Sequence, residues 1–237
     1  SNGGIPAGEK ITIDPTFGYT NSTNTYQVVT TQTISTSCGS PTTKQTGFTD
    51  ITIPASSLNS ACTRLGYQFS IGALNNTVID KVQLKMDVSS ISNSTACDIR
   101  NITNQPSSST AATLWNDIST GSSFVSSSTV CKFLLTGGVI DLGNNGVTTL
   151  QNRVTNAVSN NWYAIGIKAT TETRDDSTHT ETFGPVQLIV TYHVSTPSSP
   201  LNVIGTGHPH KNTITYTAPT FKGSSAITNY NLYKTTF

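Results

Sequence analysis

Four cysteines, a cluster of carboxylates, two tryptophans and a handful of histidines are the residues here whose chemistry can define a site. Cys38, Cys62, Cys97 and Cys131 are widely spaced, with no C-x-x-C pair and no histidine at zinc-ligand spacing. An even number in a chain this rich in hydroxyl side chains reads as two disulfides and an oxidising compartment. All pairings remain open, and the sequential one, Cys38 with Cys62 and Cys97 with Cys131, is favoured because each closes a modest loop. The loop TETRDDSTHTET carries the densest charge, with Glu172, Asp175, Asp176 and Glu181. Grouped carboxylates suit calcium, which takes about six to eight oxygens, although a solvated, charged hairpin tip is the preferred reading. His208 and His210 form an H-x-H in GTGHPHKN with no third ligand in sight, so no metal site is expected there. Trp115 and Trp162 are candidates for stacking on a sugar face. Trp162 neighbours Tyr163 in a strand, so the two rings face opposite ways and Trp162 points outward or lies near the strand end; edge packing beneath a loop is the competing reading. Asn21, Asn75, Asn93 and Asn101 head N-x-Ser/Thr sequons and are the expected glycan carriers.

Catalytic signatures are missing: there is no G-x-S-x-G, no HExxH and no P-loop. The expectation is a chain that is no enzyme and needs no cofactor, with calcium as the one structural ion to consider. Composition points the same way. Only 11% of the 237 residues are charged and the net charge is +1, while 71 are Ser or Thr. The polar surface is therefore built from hydroxyls and amides. No basic stripe with interleaved aromatics suggests nucleic acid, and no apolar run is long enough to span a bilayer. The opening SNGGIPAGEK has neither the charged nor the apolar region of a signal peptide.

The elements that must position these residues are mostly strands. In RLGYQFSI, Leu65, Tyr67, Phe69 and Ile71 share one face, with Arg64, Gln68 and Ser70 on the other. In KVQLKMDV, Val82, Leu84, Met86 and Val88 alternate with Lys81, Gln83, Lys85 and Asp87. NWYAIGIKA and PVQLIVTYHV repeat the pattern. Such alternation predicts antiparallel strands with one wet face. Weaker strands are expected at Ile11–Ile13, Tyr26–Ile34, Cys97–Ile102 and Cys131–Leu135. Stretches such as NQPSSSTAAT read as loops. One segment departs: in GVTTLQNRVTNAVSNN, Val147, Leu150, Val154 and Val158 recur at helical spacing. That predicts a short amphipathic helix starting near Asn145 or Thr148 and stopping at Asn160–Asn161.

Two resemblances follow from these segments. From Pro200 the chain reads PLNVIGTG and then NTITYTAPTFKGSSAITNYNLYKTTF. Pro200 and Val203, then Ile214, Tyr216, Ala218 and Pro219, then Gly223–Thr228, then Tyr230, Leu232 and Tyr233 resemble the opening three strands of a fibronectin type III domain. Tyr216 stands where that family usually has Trp. Over residues 45 to 193, the order of RLGYQFSI, the strand with Thr77, Ile79, Val82 and Leu84, the stretch TLWNDIS, a helix, NWYAIGIKA and GPVQLIVTY resembles DNRLRE-type jelly-roll domains. These are relatives of carbohydrate-binding modules found in bacterial and archaeal surface proteins. Trp115 falls at that family's Trp-rich loop, without its acidic residue and second Trp. The resemblance implies a structural calcium among the loop carboxylates.

The fold expected is all-β: a jelly-roll β-sandwich with one short helix, followed by an incomplete fibronectin III-like module. Residues 1–20 form an extended N-terminal donor segment, 21–194 the sandwich, 195–199 a linker and 200–237 the partial module. Three strands cannot close a sandwich that needs about seven, so either the chain continues or another chain supplies strands. The resulting expectation is an extracellular, cell-surface structural or adhesion glycoprotein. It would be a subunit of a filament, sheath or appendage, assembled head-to-tail with other copies of itself through strand pairing. The segment Gly8–Thr20, with Ile11, Ile13 and Phe17, is the expected donor. The alternative is a carbohydrate-binding module of a larger secreted enzyme or adhesin, with surface glycans as partners; nucleic acid and a membrane span are not expected.

Overall fold

The computed structural model describes residues 16–20, 25–30, 34–74, 77–93, 96–125, 138–156, 161–184, 186–194, 197–220, 223 and 227–231, with the side chains of 16–20, 26 and 194 excepted. Among the described residues thirteen strands build the main body: β1 Thr16–Thr20, β2 Thr25–Thr30, β3 Pro41–Thr46, β4 Asp50–Ile53, β5 Thr63–Ser70, β6 Thr77–Met86, β7 Val88–Ser92, β8 Cys97–Asn101, β9 Ser123–Val125, β10 Gly138–Asp141, β11 Trp162–Ala169, β12 His179–Phe183 and β13 Gln187–Val194. Two helices are inserted, α1 Ala111–Thr120 and α2 Gly143–Thr155. The strands pair antiparallel in three sheets, ordered β1-β13-β6-β10, β3-β2-β5-β11-β8-β9 and β4-β12-β7. Here the all-β expectation is met.

The inner faces of these sheets share one core. Leu65, Tyr67 and Phe69 of β5 and Tyr163, Ile165 and Ile167 of β11 pack with Val82, Leu84 and Met86 of β6 and Leu188 and Val190 of β13. On β6 the outward Lys81 and Lys85 are exposed, as alternation with a wet face requires. β5 and β11 correct that reading, because their outer face is covered as well, except toward the Gln68–Ser70 end of β5. A second cluster joins Ile102, Leu114, Trp115, Ile118, Trp162 and Ala164 on that side, and every residue of β11 is buried. The cover is α1. Its Thr110 N-cap oxygen accepts from Thr113 N at 3.1 Å, and Leu114 and Ile118 lie one turn apart on its buried side. Among the described residues, two helices, not one, are therefore inserted in the sandwich. The small residues at Gly66 and Gly166 let α1 approach: a Cβ on Gly166 would lie 2.8 Å from Ile118 Cγ1.

The expected helix is present, but α2 begins at Gly143 and ends at Thr155. Val158 and Asn160 lie outside the described residues. Leu150 and Val154 enter the main core. Gln151 performs a further task at the sheet edge, where β10 has run out as a partner for β6. Its Oε1 accepts from Ile79 N at 2.8 Å and its Nε2 donates to Thr77 O at 3.2 Å, standing in for a strand.

β1 corrects the donor-segment expectation over Thr16–Thr20. These residues pair in cis with β13, from Thr16 opposite Thr191 to Thr20 opposite Gln187. The sandwich therefore starts at or before Thr16, and Gly8–Pro15, with Ile11 and Ile13, lies outside the described residues. At the other end β14, Leu201–His208, and β15, Lys211–Thr217, pair only with each other among the described residues. Residues 227–231 are in no strand. Tyr230 is thus not on the expected third strand, and Leu232 and Tyr233 lie outside the described residues.

Candidate functional site

The chemistry-bearing residues fall into an interior network, an acidic loop and an exposed hairpin. The network is built on arginine. Arg64 of β5 donates from Nε to Glu172 Oε1 at 2.7 Å and from Nη2 to Oε2 at 2.5 Å, the bidentate geometry a planar fork provides. Its Nη1 reaches Trp115 O at 2.6 Å and Ser119 Oγ at 2.5 Å, and the guanidinium lies 3.6 Å from the Trp115 ring centre. Arg153 of α2 covers the Trp162 ring at 3.9 Å and donates to Thr103 O at 2.6 Å. Burial pulls the pKa of this guanidinium down, opposed by the charge of Asp117. Asp117 itself gathers the backbone N–H groups of Thr103 and Asn104 at 2.8 and 2.6 Å.

These contacts settle where the two tryptophans stand. Trp115 and Trp162 are only 7% and 6% exposed. Trp162 does face away from Tyr163, but into the cluster beneath α1, not into water. Trp115 sits on a helix and not in a loop. Neither ring presents the open platform that sugar stacking requires, which corrects the expectation for both.

A second charged group lies where β8 meets β11. Asp98 accepts from Arg100 Nη2 at 2.7 Å and from Thr170 Oγ1 at 2.9 Å, with Lys168 Nζ 4.0 Å away. Burial pulls the Lys168 ammonium below its usual range, while Glu172 and Asp98 act to raise it and Arg64 and Arg100 to lower it. The carboxylates proposed for calcium do not converge. Glu172 is bound to Arg64, Asp175 faces His179 at 3.0 Å, and Glu181 is fully buried on β12. Among the described residues no group of three or more His, Cys, Asp or Glu side chains could hold a metal. Asp176 joins no such group.

Cys38 and Cys62 are disulfide-bonded, with an S–S distance of 2.03 Å. Cys97 is also disulfide-bonded, and Cys131 lies outside the described residues. Of the sequons, Asn93 is exposed and Asn101 half-buried on β8; Asn21 and Asn75 lie outside the described residues. No helix among the described residues is long and apolar enough to cross a membrane.

Among the described residues the hairpin β14–β15 is the most apolar exposed surface. Its Leu201, Val203, Ile204, Ile214 and Tyr216 account for five of the ten large hydrophobic side chains left open there, and Tyr230 beside it for a sixth. The Tyr216 and Tyr230 rings meet at 4.6 Å between centroids. Gly205 stands opposite Ile214 and Gly207 opposite Asn212, so no cross-strand side chain shields Ile214. His208 and His210 flank the tip, exposed and joined to no metal-ligating group. No protein-family model matches the chain, and no curated protein is significantly similar to it.

Proposed function

We propose that this chain is a structural and adhesive module of an extracellular surface assembly, in which a disulfide-stapled sandwich displays an associating hairpin. The observation that carries the reading is the hairpin itself, a two-stranded ribbon with Val203 and Ile204 each 60% exposed. A lone two-stranded ribbon is marginal in water, and an apolar patch of this kind marks an interaction surface. The resemblance of its residues to the opening of a fibronectin type III domain supports a partner that adds strands. The disulfide Cys38–Cys62 fits an oxidising compartment, and the sequons at Asn93 and Asn101 fit a glycosylated surface protein. Thr16–Thr20 is already engaged in cis, so the complementing strands come from elsewhere, and another copy's hairpin is the economical source. The carbohydrate-binding alternative lacks its platform, because both tryptophan rings are covered.

The test compares the full chain with Val203→Glu/Ile214→Glu, which places charge on the exposed ribbon without touching the sandwich core. Sedimentation and negative-stain imaging should show concentration-dependent, non-closing assemblies for the full chain and monomers for the variant. A full chain that stays monomeric at high concentration, or a variant that assembles as well as the parent, overturns the proposal.

A further inference from the structure

His179, the first residue of β12, lies between two groups that only accept hydrogen bonds. Its Nδ1 meets the backbone carbonyl of Asn93. Its Nε2 lies 3.1 and 3.0 Å from the two carboxylate oxygens of Asp175. A neutral imidazole has one N–H and must turn a lone pair toward one of these acceptors, whereas the imidazolium donates to both. The two acceptors belong to separate segments. Asn93 is in the turn after β7, in a left-handed conformation at φ 47°, and its Nδ2 donates to Thr178 O at 3.0 Å. Asp175 belongs to the loop before β12. That loop holds a third segment, accepting from Ser56 N at Asp175 O (2.6 Å) and from Ala55 N at Thr178 Oγ1 (3.1 Å).

We propose that His179 is a proton-operated clip that fastens the Asn93 turn to the Asp175–Thr178 loop when charged and releases it when the ring becomes neutral. The surroundings favour the charged ring. Asp175 and Asp176 belong to the loop, and Glu181 lies two residues along the same strand. Arg174 turns its guanidinium onto the carbonyls of Pro54, Ala55 and Leu58. β4 meets His179 at Ile53 and carries its one charge, Asp50, at the far end; β7 carries none. Partial burial pulls the ring's pKa down, but the Asn93 carbonyl and the hydrogen bond and charge of Asp175 outweigh it, leaving it above the usual value. Asp175 is held below the usual carboxylate range by the Ser177 backbone N–H and by His179.

The signs define a window. A histidine raised above its free value of 6.5 stabilises fully below that pH and loses the contribution as pH climbs through the folded value. A carboxyl depressed below 3.8 stabilises above that pH and loses the contribution as pH falls through its folded value. The clip is therefore fully closed from about pH 3.8 upward and opens on the alkaline side of the His179 transition. Opening frees the Asn93 amide nitrogen, the acceptor atom of its sequon.

Ring-nitrogen NMR of the 15N-labelled full chain tests this, with His179 assigned by its loss in His179→Gln. Nδ1 and Nε2 should both carry protons at the pH where histidines of the urea-unfolded chain are half titrated. The midpoint should fall toward the unfolded value in Asp175→Asn, whose altered side chain is 59% exposed and compatible with folding. Amide exchange at Ser56 and Ala55, corrected for intrinsic rate, should accelerate by about tenfold per pH unit between the unfolded and folded midpoints. A midpoint at or below the unfolded value, an Asp175→Asn midpoint equal to the parent's, or exchange indifferent to the transition overturns the clip.

Discussion

All four arginines of this chain donate to backbone carbonyls. Arg64 binds Trp115 O, Arg100 binds Ser119 O and Gly121 O, Arg153 binds Thr103 O, and Arg174 binds three carbonyls between Pro54 and Leu58. A loop or helix end that is buried has carbonyls no strand can satisfy, and a guanidinium with several fixed donors satisfies them in groups. This explains why so few charges serve so much irregular backbone, and why Arg64 is buried where alternation puts it on a wet face. Glu172 completes the Arg64 site, with side-chain exposures of 5% for Arg64 and 17% for Glu172. Removing one partner of such a pair strands the other charge, typically at about 3–5 kcal/mol. Glu172→Gln should cost about 3 kcal/mol in urea unfolding with an unchanged m-value. Arg64→Met in the Glu172→Gln background should then cost less than Arg64→Met alone. A loss for Glu172→Gln no larger than about 1 kcal/mol, the range of exposed pairs, would mean the site is screened by water.

At the scale of elements, the helix on the outer face of β5 and β11 decides how the sheets are buried. Gly66, Ala164 and Gly166 form the small-residue floor on which α1 lies, and Gly166 is the tightest point. Alanine in an open strand is better than glycine by about 0.5–1 kcal/mol, so the sign of Gly166→Ala is diagnostic. With a Cβ 2.8 Å from Ile118 Cγ1, the substitution should instead destabilise by about 1–3 kcal/mol through overpacking. It should cost less in the Ile118→Ala background, which removes the two nearest atoms, Cγ1 and Cγ2; a stabilised Gly166→Ala would place α1 elsewhere. The same floor shows what was legible in the sequence. β6 was readable because Lys81 and Lys85 truly face water. The inner faces of β5 and β11 were readable too, but the outer faces were not, since Arg64 and Lys168 advertise solvent while sitting under cover. The helix α1 was written as Thr110 followed by Leu114 and Ile118 at i, i+4, a signal masked by the Ser-rich run before it. The two tryptophans stand out by type, but their cover is tertiary: Arg64, 51 residues away, lies on Trp115, and Arg153 of α2 lies on Trp162. The hairpin was legible from Val203, Ile214 and Tyr216, whereas the clip at His179 was not, because Asn93 is 86 residues from it.

Across the whole molecule, the chain between Cys38 and Cys62 performs the hardest topological step. It contributes β3 to the edge of the six-stranded sheet and then β4 to the three-stranded sheet before returning as β5. The disulfide joins its two ends, and the Cys62 end is tied to the last residue of β2 as well: Thr30 N donates to Cys62 O at 3.0 Å, and Cys62 N donates to Thr30 Oγ1 at 3.0 Å. The hydrogen bonds form only in the folded state, whereas the disulfide also restricts the unfolded chain. Closing a loop with a sequence separation of 24 stabilises by about 3 kcal/mol in the chain-entropy account. Cys38→Ser/Cys62→Ser should therefore lose about that much stability while keeping its native secondary structure. Its m-value should rise, because a longer free chain exposes more surface on unfolding. The hairpin β14–β15, which among the described residues pairs only with itself, should keep its NMR signals unchanged in that variant. Shifts in the hairpin on removing the disulfide would reveal coupling between the sandwich and the ribbon, and would require any assembly through the ribbon to report on the folding of the sandwich as well.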